Sequence, residues 1–415
     1  MKTVIAMISV LGTWLLLADQ PASAQDWPQW RGPGRDNKVV GFTEPKSWPK
    51  ELTKKWKVPV GQGDSSPILA GDRVYVFGRE GVEEVLACLD AASGKEIWKK
   101  GYTAQEATKP AGGIHAGPRS TPALADDKIV TLGVRGMVRC LDAKSGELVW
   151  EQDTKKYPQF FTSSSPLLVD GLCIVCLGDG KGGEIVALEL ANGKPKWKWD
   201  GGAAPYGSPI VVTAAGTKQV VTAMAGVGKG KGVAGSLVGI GLADGNPLWQ
   251  TSFGSGYNDT MPTPIVAGDA LLFPAPDAGT AAFKIEKKGN AFAATQLWKK
   301  KGAAPHKYNT PVLHDGALYG LTGSSELFCV DSQTGETLWT DSKARGQCGN
   351  VLAAGSVLIA LTSDKNLVVF RADKKGYTEI AHYPVCDTQP WGAPIIAGNR
   401  IYVKDQNSLT LWTIE

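Results

Sequence analysis

The residues best suited to binding or catalysis lie in short segments that connect apolar runs along this 415-residue chain. These segments combine aromatic rings with arginine, histidine, amide and carboxylate groups. The candidate ligand-binding residues are His115, Arg119, Phe161, Tyr206, Tyr257, Asn258, Asp259, His306, Tyr308, Arg345 and Trp391. Aromatic faces with a few polar groups suit a planar acidic ligand, a sugar or a peptide strand. Large side chains can equally fill a cavity and support loops, so both interpretations stay open.

One adjacent pair has the composition of a catalytic site. Asn258 could bind a cation through its amide oxygen, and Asp259 could act as a carboxylate base. Arg119 or Arg345 could meet the negative charge of an acidic ligand. The neighbouring segments supply no evident second anionic ligand for a cation.

Two other patterns do not carry the chemistry that they first suggest. His115 and His306 are separated by several repeats of the chain, so we predict no transition-metal site between them. The glycine-rich run at 226–232 lacks the Gly-Lys-Ser/Thr ending and the following helix of a phosphate-binding loop. We interpret it as an extension of a hairpin.

The elements that must position these residues are sequence repeats. Cys-Leu-Asp-Ala-x-Ser-Gly, with Trp after three further residues, occurs at 88–98 and again at 140–150. Looser copies occupy 187–197, 239–249 and 329–339. Short apolar runs and glycine turns that recur with a period of roughly 40 to 55 residues are typical of a β-propeller.

The residues that recur at fixed positions of the repeat have structural explanations. Its aspartates, Asp90, Asp142 and Asp331, can accept backbone N–H groups across a tight turn. Its glycines, Gly94, Gly146 and Gly335, can take the left-handed conformation that closes the turn. Its tryptophans, Trp98, Trp150, Trp197, Trp249, Trp298 and Trp339, offer flat apolar surfaces that suit packing between neighbouring blades. We therefore predict turn and packing roles for these residues rather than catalysis.

The number of repeats predicts how the ring closes. Seven units begin at a proline, at positions 67, 122, 166, 209, 264, 311 and 394, and Asn350 marks a degenerate eighth. The last unit stops after its third strand, while residues 52–58 carry the missing outer strand and its Trp56. We predict an all-β, eight-bladed propeller of four-stranded antiparallel blades, closed by an N-terminal strand that completes the last blade.

Composition argues against some functions and locations. The chain has 44 basic and 40 acidic residues spread along its length, whereas a nucleic-acid-binding protein concentrates positive charge on one face.

The cysteines are predicted to be mostly structural. Cys88, Cys140 and Cys329 occupy one repeat position and are predicted to be buried core residues. Cys173 and Cys176 should face opposite sides of one strand. A bridge between the two cysteines in connecting segments, at 348 and 386, is the remaining suggestion for a disulfide.

The N-terminus has the features of an export signal. Lys2 precedes an apolar stretch at 4–17, and Ala22-Ser23-Ala24 forms a small-x-small cleavage site. We predict a signal peptide at 1–24, an N-terminal arm at 25–47 and the propeller at 48–415. No cysteine precedes Cys88, so no lipid anchor is expected near the cut. The mature protein is expected to be periplasmic or secreted, without a transmembrane segment.

The Leu-Asp-Ala-x-Ser-Gly-x-x-x-Trp repeat resembles the tryptophan-docking repeat of pyrroloquinoline-quinone (PQQ) type eight-bladed propellers. The resemblance covers about residues 48–415, and Trp27-Pro28-Gln29-Trp30-Arg31-Gly32-Pro33 is similar to an arm common in exported members. That superfamily includes quinoprotein alcohol dehydrogenases and the non-enzymatic BamB-like outer-membrane assembly factors. The dehydrogenases bind PQQ and a divalent cation over the central axis, and commonly contain adjacent cysteines.

This chain departs from the enzymatic pattern in ways that favour the other branch. It contains no Cys-Cys pair and no Cys-x-x-Cys-His haem motif. The resemblance therefore implies a binding or scaffold module, with envelope proteins or peptides as partners and no cofactor. A PQQ- and calcium-dependent oxidoreductase with Asp259 as base is the alternative. A carbohydrate-binding propeller that uses Trp391, Tyr206 and Tyr257 is another.

Overall fold

The computed structural model describes residues 26–108, 115–179, 182–226, 235–253, 261–275, 279–302, 305 and 308–415. Within these ranges, 33 strands form eight sheets, and each sheet contains four antiparallel strands in meander order. One sheet carries a fifth, short parallel strand at its inner edge. The predicted eight-bladed all-β propeller is confirmed.

The chain begins with two strands that belong to late blades, and the first four complete blades follow. The first two strands are β1 (Lys38–Val39) and β2 (Thr53–Pro59). Blade 1 contains β3 (Ile68–Ala70), β4 (Arg73–Glu80), β5 (Glu83–Asp90) and β6 (Glu96–Thr103). Blade 2 contains β7 (Ala123–Ala125), β8 (Lys128–Leu132), β9 (Met137–Asp142) and β10 (Leu148–Asp153). Blade 3 contains β11 (Leu167–Val169), β12 (Leu172–Gly178), β13 (Gly183–Glu189) and β14 (Pro195–Asp200), and blade 4 contains β15 (Ile210–Ala214), β16 (Thr217–Met224), β17 (Ser236–Gly241) and β18 (Pro247–Ser252).

The remaining blades complete the ring. Blade 5 contains β19 (Ile265–Ala267), β20 (Ala270–Ala275), β21 (Gly279–Lys288) and β22 (Ala291–Lys300). Blade 6 contains β23 (Val312–His314), β24 (Ala317–Leu321), β25 (Leu327–Asp331) and β26 (Thr337–Thr340). Blade 7 contains β27 (Gly349–Ala354), β28 (Val357–Thr362), β29 (Asn366–Arg371) and β30 (Glu379–Pro384), with β1 parallel to β27. Blade 8 contains β31 (Ile395–Ala397), β32 (Arg400–Lys404) and β33 (Ser408–Thr413), with β2 as its outer strand.

The middle strands are apolar on both faces because each blade is covered by a neighbour on each side. In β12, Cys173 and Val175 pack in the cluster shared with blade 2, whereas Ile174 and Cys176 pack in the cluster shared with blade 4. The predicted opposite orientation of the two cysteines is confirmed. All seven cysteines are free thiols, so the suggested bridge between Cys348 and Cys386 is not present.

The repeated tryptophans join adjacent blades. The Nε1 group of Trp150 donates a hydrogen bond to the Leu190 carbonyl of blade 3 at 2.9 Å, and Trp197 donates to Leu242 of blade 4 at 2.8 Å. Trp249 differs, since its Nε1 group donates to Gln219 Oε1 of its own blade at 2.6 Å. Blade 5, its neighbour, has the long β21–β22 hairpin where blades 1, 2 and 6 have the Asp-x-x-x-Gly turn.

The repeated aspartates brace turns, as the sequence predicts. Asp90 Oδ1 accepts both the backbone N–H and the hydroxyl of Ser93, at 2.7 and 2.6 Å. These bonds lower the pKa of Asp90 below its ordinary value because they stabilise the carboxylate. Asp142 and Asp331 accept the backbone N–H groups of Ser145 and Thr334 in the same way, at 2.8 and 2.9 Å.

The N-terminal strand closes the ring. Strand β2 pairs antiparallel with β33, and Trp56 lies opposite Leu411 in this register. The Trp56 indole packs on Gly94 of blade 1, where an added Cβ would lie 2.8 Å from the ring. The ends of the propeller therefore share blade 8, and its tryptophan docks on blade 1 like those of the other blades.

A ring of hydroxyl groups links the inner strands around the channel. Each hydroxyl belongs to the Ser or Thr that precedes a repeat proline, and it accepts a backbone N–H from the preceding blade. The pairs are Ser66 to Thr121 (3.1 Å), Thr121 to Ser165 (3.0 Å), Ser165 to Ser208 (2.9 Å), Ser208 to Thr263 (3.1 Å), Thr263 to Thr310 (3.0 Å) and Ala393 to Ser66 (2.7 Å). Six of the eight junctions between blades are thereby joined by side-chain bonds, since the edges of adjacent blades do not pair.

The N-terminal arm fills the channel below this ring. Trp27 is fully buried and exchanges two backbone hydrogen bonds with Leu69 of blade 1, at 2.7 and 3.0 Å. Pro28 accepts a hydrogen bond from Leu124 of blade 2, and the amide of Asn37 donates to Val351 of blade 7 at 3.1 Å. The arm thus crosses the channel from blade 1 to blade 7. In the described part of the chain, no helix has the length and hydropathy needed to cross a membrane.

Candidate functional site

A cavity of about 370 Å³ opens at the mouth of the channel, above the arm and the hydroxyl ring. The segments that lead from the outer strand of one blade to the inner strand of the next form its wall. Five of the candidate residues line it together: His115, Arg119, Tyr206, Tyr308 and Trp391. Trp30 and Arg31 of the arm also line it. The structure thus brings together residues from blades that are distant in the sequence.

Two candidate residues lie outside the lining of the cavity. Phe161 is 5% exposed and stacks on Tyr157 with ring centroids 5.5 Å apart, while its neighbour Phe160 lines the cavity. Arg345 is 1% exposed and forms an ion pair with Asp341 at 2.5 Å, and its guanidinium lies 5.1 Å from the ring of Tyr377. A nearby carboxylate therefore holds Arg345 away from the mouth.

Four further candidates, Tyr257, Asn258, Asp259 and His306, lie outside the described residues, as does most of the glycine-rich run at 226–232. The catalytic roles predicted for Asn258 and Asp259 stay predictions.

One repeat position supplies most of the wall. The residue three positions before each repeat proline lines the cavity in all seven proline-containing units: Asp64, Arg119, Ser163, Tyr206, Met261, Tyr308 and Trp391. These lining residues can be identified from the sequence, because only the positions of the repeat prolines and a fixed offset of three residues are needed. Sequence reasoning by side-chain type missed Asp64, Ser163 and Met261, and it missed the arm residues because the arm lies outside the repeat.

The polar side of the cavity is a hydrogen-bonded cluster. His115 Nδ1 lies 2.7 Å from Asp64 Oδ2, and Arg119 Nε lies 3.9 Å from the same oxygen. Arg119 also donates to the carbonyls of Phe160 at 2.6 Å and of His115 at 2.9 Å. Burial lowers the pKa of Arg119, although Asp64 partly opposes this effect. These contacts connect the Arg119 guanidinium and the His115 ring to the wall of the cavity.

Aromatic side chains line the cavity next to this cluster. The Trp391 ring meets His115 edge-on with centroids 4.7 Å apart, and it meets Tyr308 at 5.8 Å. Asn350 donates to the Trp391 carbonyl at 2.9 Å, which fixes this segment against blade 7. Tyr308 is 45% exposed at the rim. An apolar group can therefore contact Tyr308 from the solvent side without a rearrangement of the core.

Buried cations lie below the cavity. Arg31 is 3% exposed and donates to the carbonyls of Thr310 and Pro311 in blade 6, at 2.6 and 2.9 Å. Arg35 is 6% exposed and donates to the Pro166 carbonyl in blade 3 at 2.8 Å. The two guanidiniums lie 5.5 and 5.4 Å from the ring of Trp30. Burial lowers their pKa values to about 10 and about 9, so both remain charged at neutral pH.

A buried lysine adds to this positive charge. Lys404 Nζ is enclosed and donates to the carbonyls of Gly63 and Asp405, at 2.5 and 3.1 Å. Burial lowers the pKa of Lys404 to about 8, while the charges of Asp64 and Asp405 oppose the shift. Arg119 and Lys404 thus both interact with Asp64, which supplies the single carboxylate among the described lining residues.

PQQ with a divalent cation, the cofactor that the sequence alternative implies, requires a set of oxygen ligands. Calcium takes six to eight oxygen ligands, commonly with several carboxylates. Among the described residues, no group of three or more His, Cys, Asp or Glu side chains is placed to hold a metal ion. The one lining carboxylate, Asp64, is already bonded to His115. PQQ with calcium does not fit the ligands that the described residues offer.

The fold and the cavity define a PQQ-like eight-bladed propeller with a channel filled from one side and a pocket at the other. The chain matches the family model described as outer membrane protein assembly factor BamB over residues 82–341, and it belongs to this family. It is 27% identical over 369 residues to the outer membrane protein assembly factor BamB of Burkholderia pseudomallei, a match that covers 86% of each chain.

Two solved structures are similar in fold. BamB from Moraxella catarrhalis is 16% identical, with a TM-score of 0.62 over 88% of this chain and 98% of that chain. A europium-containing methanol dehydrogenase is 11% identical, with a TM-score of 0.72 over 94% of this chain and 98% of that chain. The fold alone is therefore shared by assembly factors and by enzymes, and the site has to distinguish them.

Proposed function

We propose that this protein is a non-enzymatic scaffold for envelope protein assembly, which binds polypeptide partners at the mouth of the propeller. The observation that carries the proposal is the 27% identity to a BamB assembly factor along 86% of both chains. A local resemblance between repeats would cover less of each chain. The proposal places the protein in the cell envelope, which agrees with the export signal predicted at 1–24.

The cavity supports a binding role. It combines aromatic surface from Tyr308 and Trp391 with fixed polar groups from Asp64, His115 and Arg119. Interfaces commonly use such aromatic and arginine anchors, because they bury large contact areas in preformed pockets. The lining offers no described metal-binding cluster, and the arm holds the channel closed below it.

The test is genetic. Deletion of the gene in its own organism is expected to lower the amount of folded outer membrane proteins, and the intact gene is expected to restore it. Unchanged amounts after deletion would overturn the proposal.

The enzymatic alternative has a separate test on the purified protein. Titration with PQQ and calcium, followed by tryptophan fluorescence, is expected to give no saturable signal. Saturable binding that is lost in Arg119→Lys would favour an oxidoreductase instead, and the same assay with monosaccharides tests the carbohydrate alternative.

A further inference from the structure

The cavity wall is divided into two chemically different halves. Of the residues three positions before the repeat prolines, blades 1 to 3 supply Asp64, Arg119 and Ser163, which are polar. The later blades supply Tyr206, Met261, Tyr308 and Trp391, which are aromatic or apolar. A ligand that fills the cavity must therefore present a polar end to one half and an apolar group to the other.

The charge of the cavity favours an anionic polar end. The described lining contains two guanidiniums, Arg31 and Arg119, against the single carboxylate of Asp64. Arg31 and Arg35 make no ion pair within 4.0 Å among the described residues, and Asp36 attracts Arg31 only at longer range. Buried charges without a counter-ion make a site attractive to an opposite charge, because the surrounding medium screens poorly.

The floor of the cavity limits how a polypeptide can enter. Trp30 and Arg31 line the cavity from below, and Arg31 is bonded to blade 6 while Arg35 is bonded to blade 3. An extended chain cannot thread through a channel that the arm spans. A cavity of about 370 Å³ with this floor accepts the end of a chain or a single side group, and it lies within the roughly 300–1,000 Å³ of ordinary ligand pockets.

We infer that the mouth cavity binds the C-terminal residue of a partner polypeptide. Its α-carboxylate faces the half formed by Arg119 and His115 above Arg31, and its apolar side chain packs against Tyr308 and Trp391. This inference rests on the proposed scaffold function, since that function makes the ligand a polypeptide. It also gives the N-terminal arm a role, because Arg31 of the arm contributes charge to a site that the repeats form.

The test compares two synthetic hexapeptides of one sequence that ends in phenylalanine, one with a free C-terminal acid and one with a C-terminal amide. Binding to the purified protein is followed by tryptophan fluorescence, since Trp30 and Trp391 line the cavity. The acid is expected to bind about 10- to 100-fold more tightly, as for a hydrogen bond to a charged group, and more weakly as salt is raised. Equal affinity of acid and amide would overturn the inference while leaving the scaffold function standing.

Variants of the protein test where the carboxylate and the side chain of the C-terminal residue bind. Arg119→Gln is expected to abolish the preference for the acid. Tyr308→Ala is expected to weaken both peptides and to keep the preference, and its exposed position makes misfolding a small risk. Leu297→Ala, at a position 52% exposed on the outer strand of blade 5, is the matched control and should change neither. If Arg119→Gln lowers the melting temperature, Arg119→Met, which also removes the charge, replaces it. An unchanged acid preference in a folded, uncharged variant of Arg119 would contradict the inference.

A third experiment distinguishes binding of a polypeptide C-terminus from binding of a free small acid. 3-Phenylpropionate carries the same carboxylate and ring without the peptide, and it is expected to bind at least tenfold more weakly than the peptide acid. Equal affinity would mean that the cavity takes a free aromatic acid, which overturns the inference. Absence of binding by either peptide would also overturn it, and the gene-deletion experiment would still decide the scaffold function separately.

Discussion

Trp98 of blade 1 lies directly against Gly146 of blade 2, so closely that a Cβ atom on Gly146 would fall 2.7 Å from the indole ring. The same contact joins Trp150 to Gly193 at 2.6 Å and Trp197 to Gly245 at 2.7 Å. The glycine of the repeated turn therefore has two functions. It takes a positive φ, +72° at Gly146, and it leaves room for the tryptophan of the preceding blade.

Substitution of Gly146 separates these two functions. Gly146→Ala is expected to lower the free energy of unfolding by about 2–4 kcal/mol, because backbone strain and a clash with Trp98 add together. Gly171 has nearly the same φ, +73°, but no atom lies within 4 Å of an added Cβ, so Gly171→Ala measures the strain alone. Urea unfolding of both variants checks this. Equal losses in the free energy of unfolding would mean that the close contact between Gly146 and Trp98 does not affect stability.

The hydroxyl ring predicts a second contrast. Thr121→Val keeps the shape of the side chain but removes the oxygen that accepts the Ser66 N–H at 3.1 Å. A buried N–H without a partner costs roughly 1–3 kcal/mol of stability. Thr162 is also buried, and its hydroxyl has no partner among the described residues, so Thr162→Val should be neutral or stabilising. Chemical denaturation that ranks the two variants the other way would refute a stabilising role for the ring.

The repeat made most of this architecture predictable. The Asp-x-x-x-Gly turns, the interblade tryptophans and the closure by Trp56 each follow from local chemistry that recurs at a fixed spacing. The sequence does not predict the hydroxyl ring. Each of its hydroxyls accepts a backbone N–H of the preceding blade, about one repeat away, and no local pattern indicates that contact.

The candidate site was predictable only in part, for a different physical reason. Side-chain type identified Arg119, Tyr308 and Trp391, but it also selected Arg345, which forms an ion pair with its near neighbour Asp341. It could not select Arg31, because the path of the arm through the channel depends on contacts with blades 1, 2, 3, 6 and 7. The fixed offset from the repeat proline therefore indicates the lining residues more reliably than side-chain type does.

The arm predicts a large effect from a single residue outside the repeats. Trp27→Ala is expected to cost about 3–5 kcal/mol of stability, as for other fully buried tryptophans. Trp48 is only partly buried and stacks on Phe42 with centroids 6.3 Å apart, so Trp48→Ala should cost less than half as much. Thermal unfolding followed by circular dichroism checks the pair. Similar melting temperatures for the two variants would contradict a core role for the arm.

Lys404 predicts how stability depends on pH. Its pKa is about 8 in the folded protein against an ordinary 10.5, so the unfolded chain holds the proton more tightly. The cost of burying the charge is fully present below pH 8 and is relieved as the pH rises through 8 toward 10.5. The wild type should therefore gain stability relative to Lys404→Met over this range, by at most ~3 kcal/mol. Stability curves for the two proteins that remain parallel between pH 7 and 10 would contradict this prediction.

The measurement that tests the central claim most directly is complementation of the gene deletion by variants of the mouth and of the outer face. A protein with Arg119→Gln and Tyr308→Ala is expected to reach wild-type amounts in the envelope, by immunoblot, and yet fail to restore folded outer membrane proteins. A protein with Leu297→Ala and Leu338→Ala, two exposed positions on outer strands, is expected to restore them fully. Full restoration by the mouth variant would contradict the account, because assembly would then proceed without the cavity.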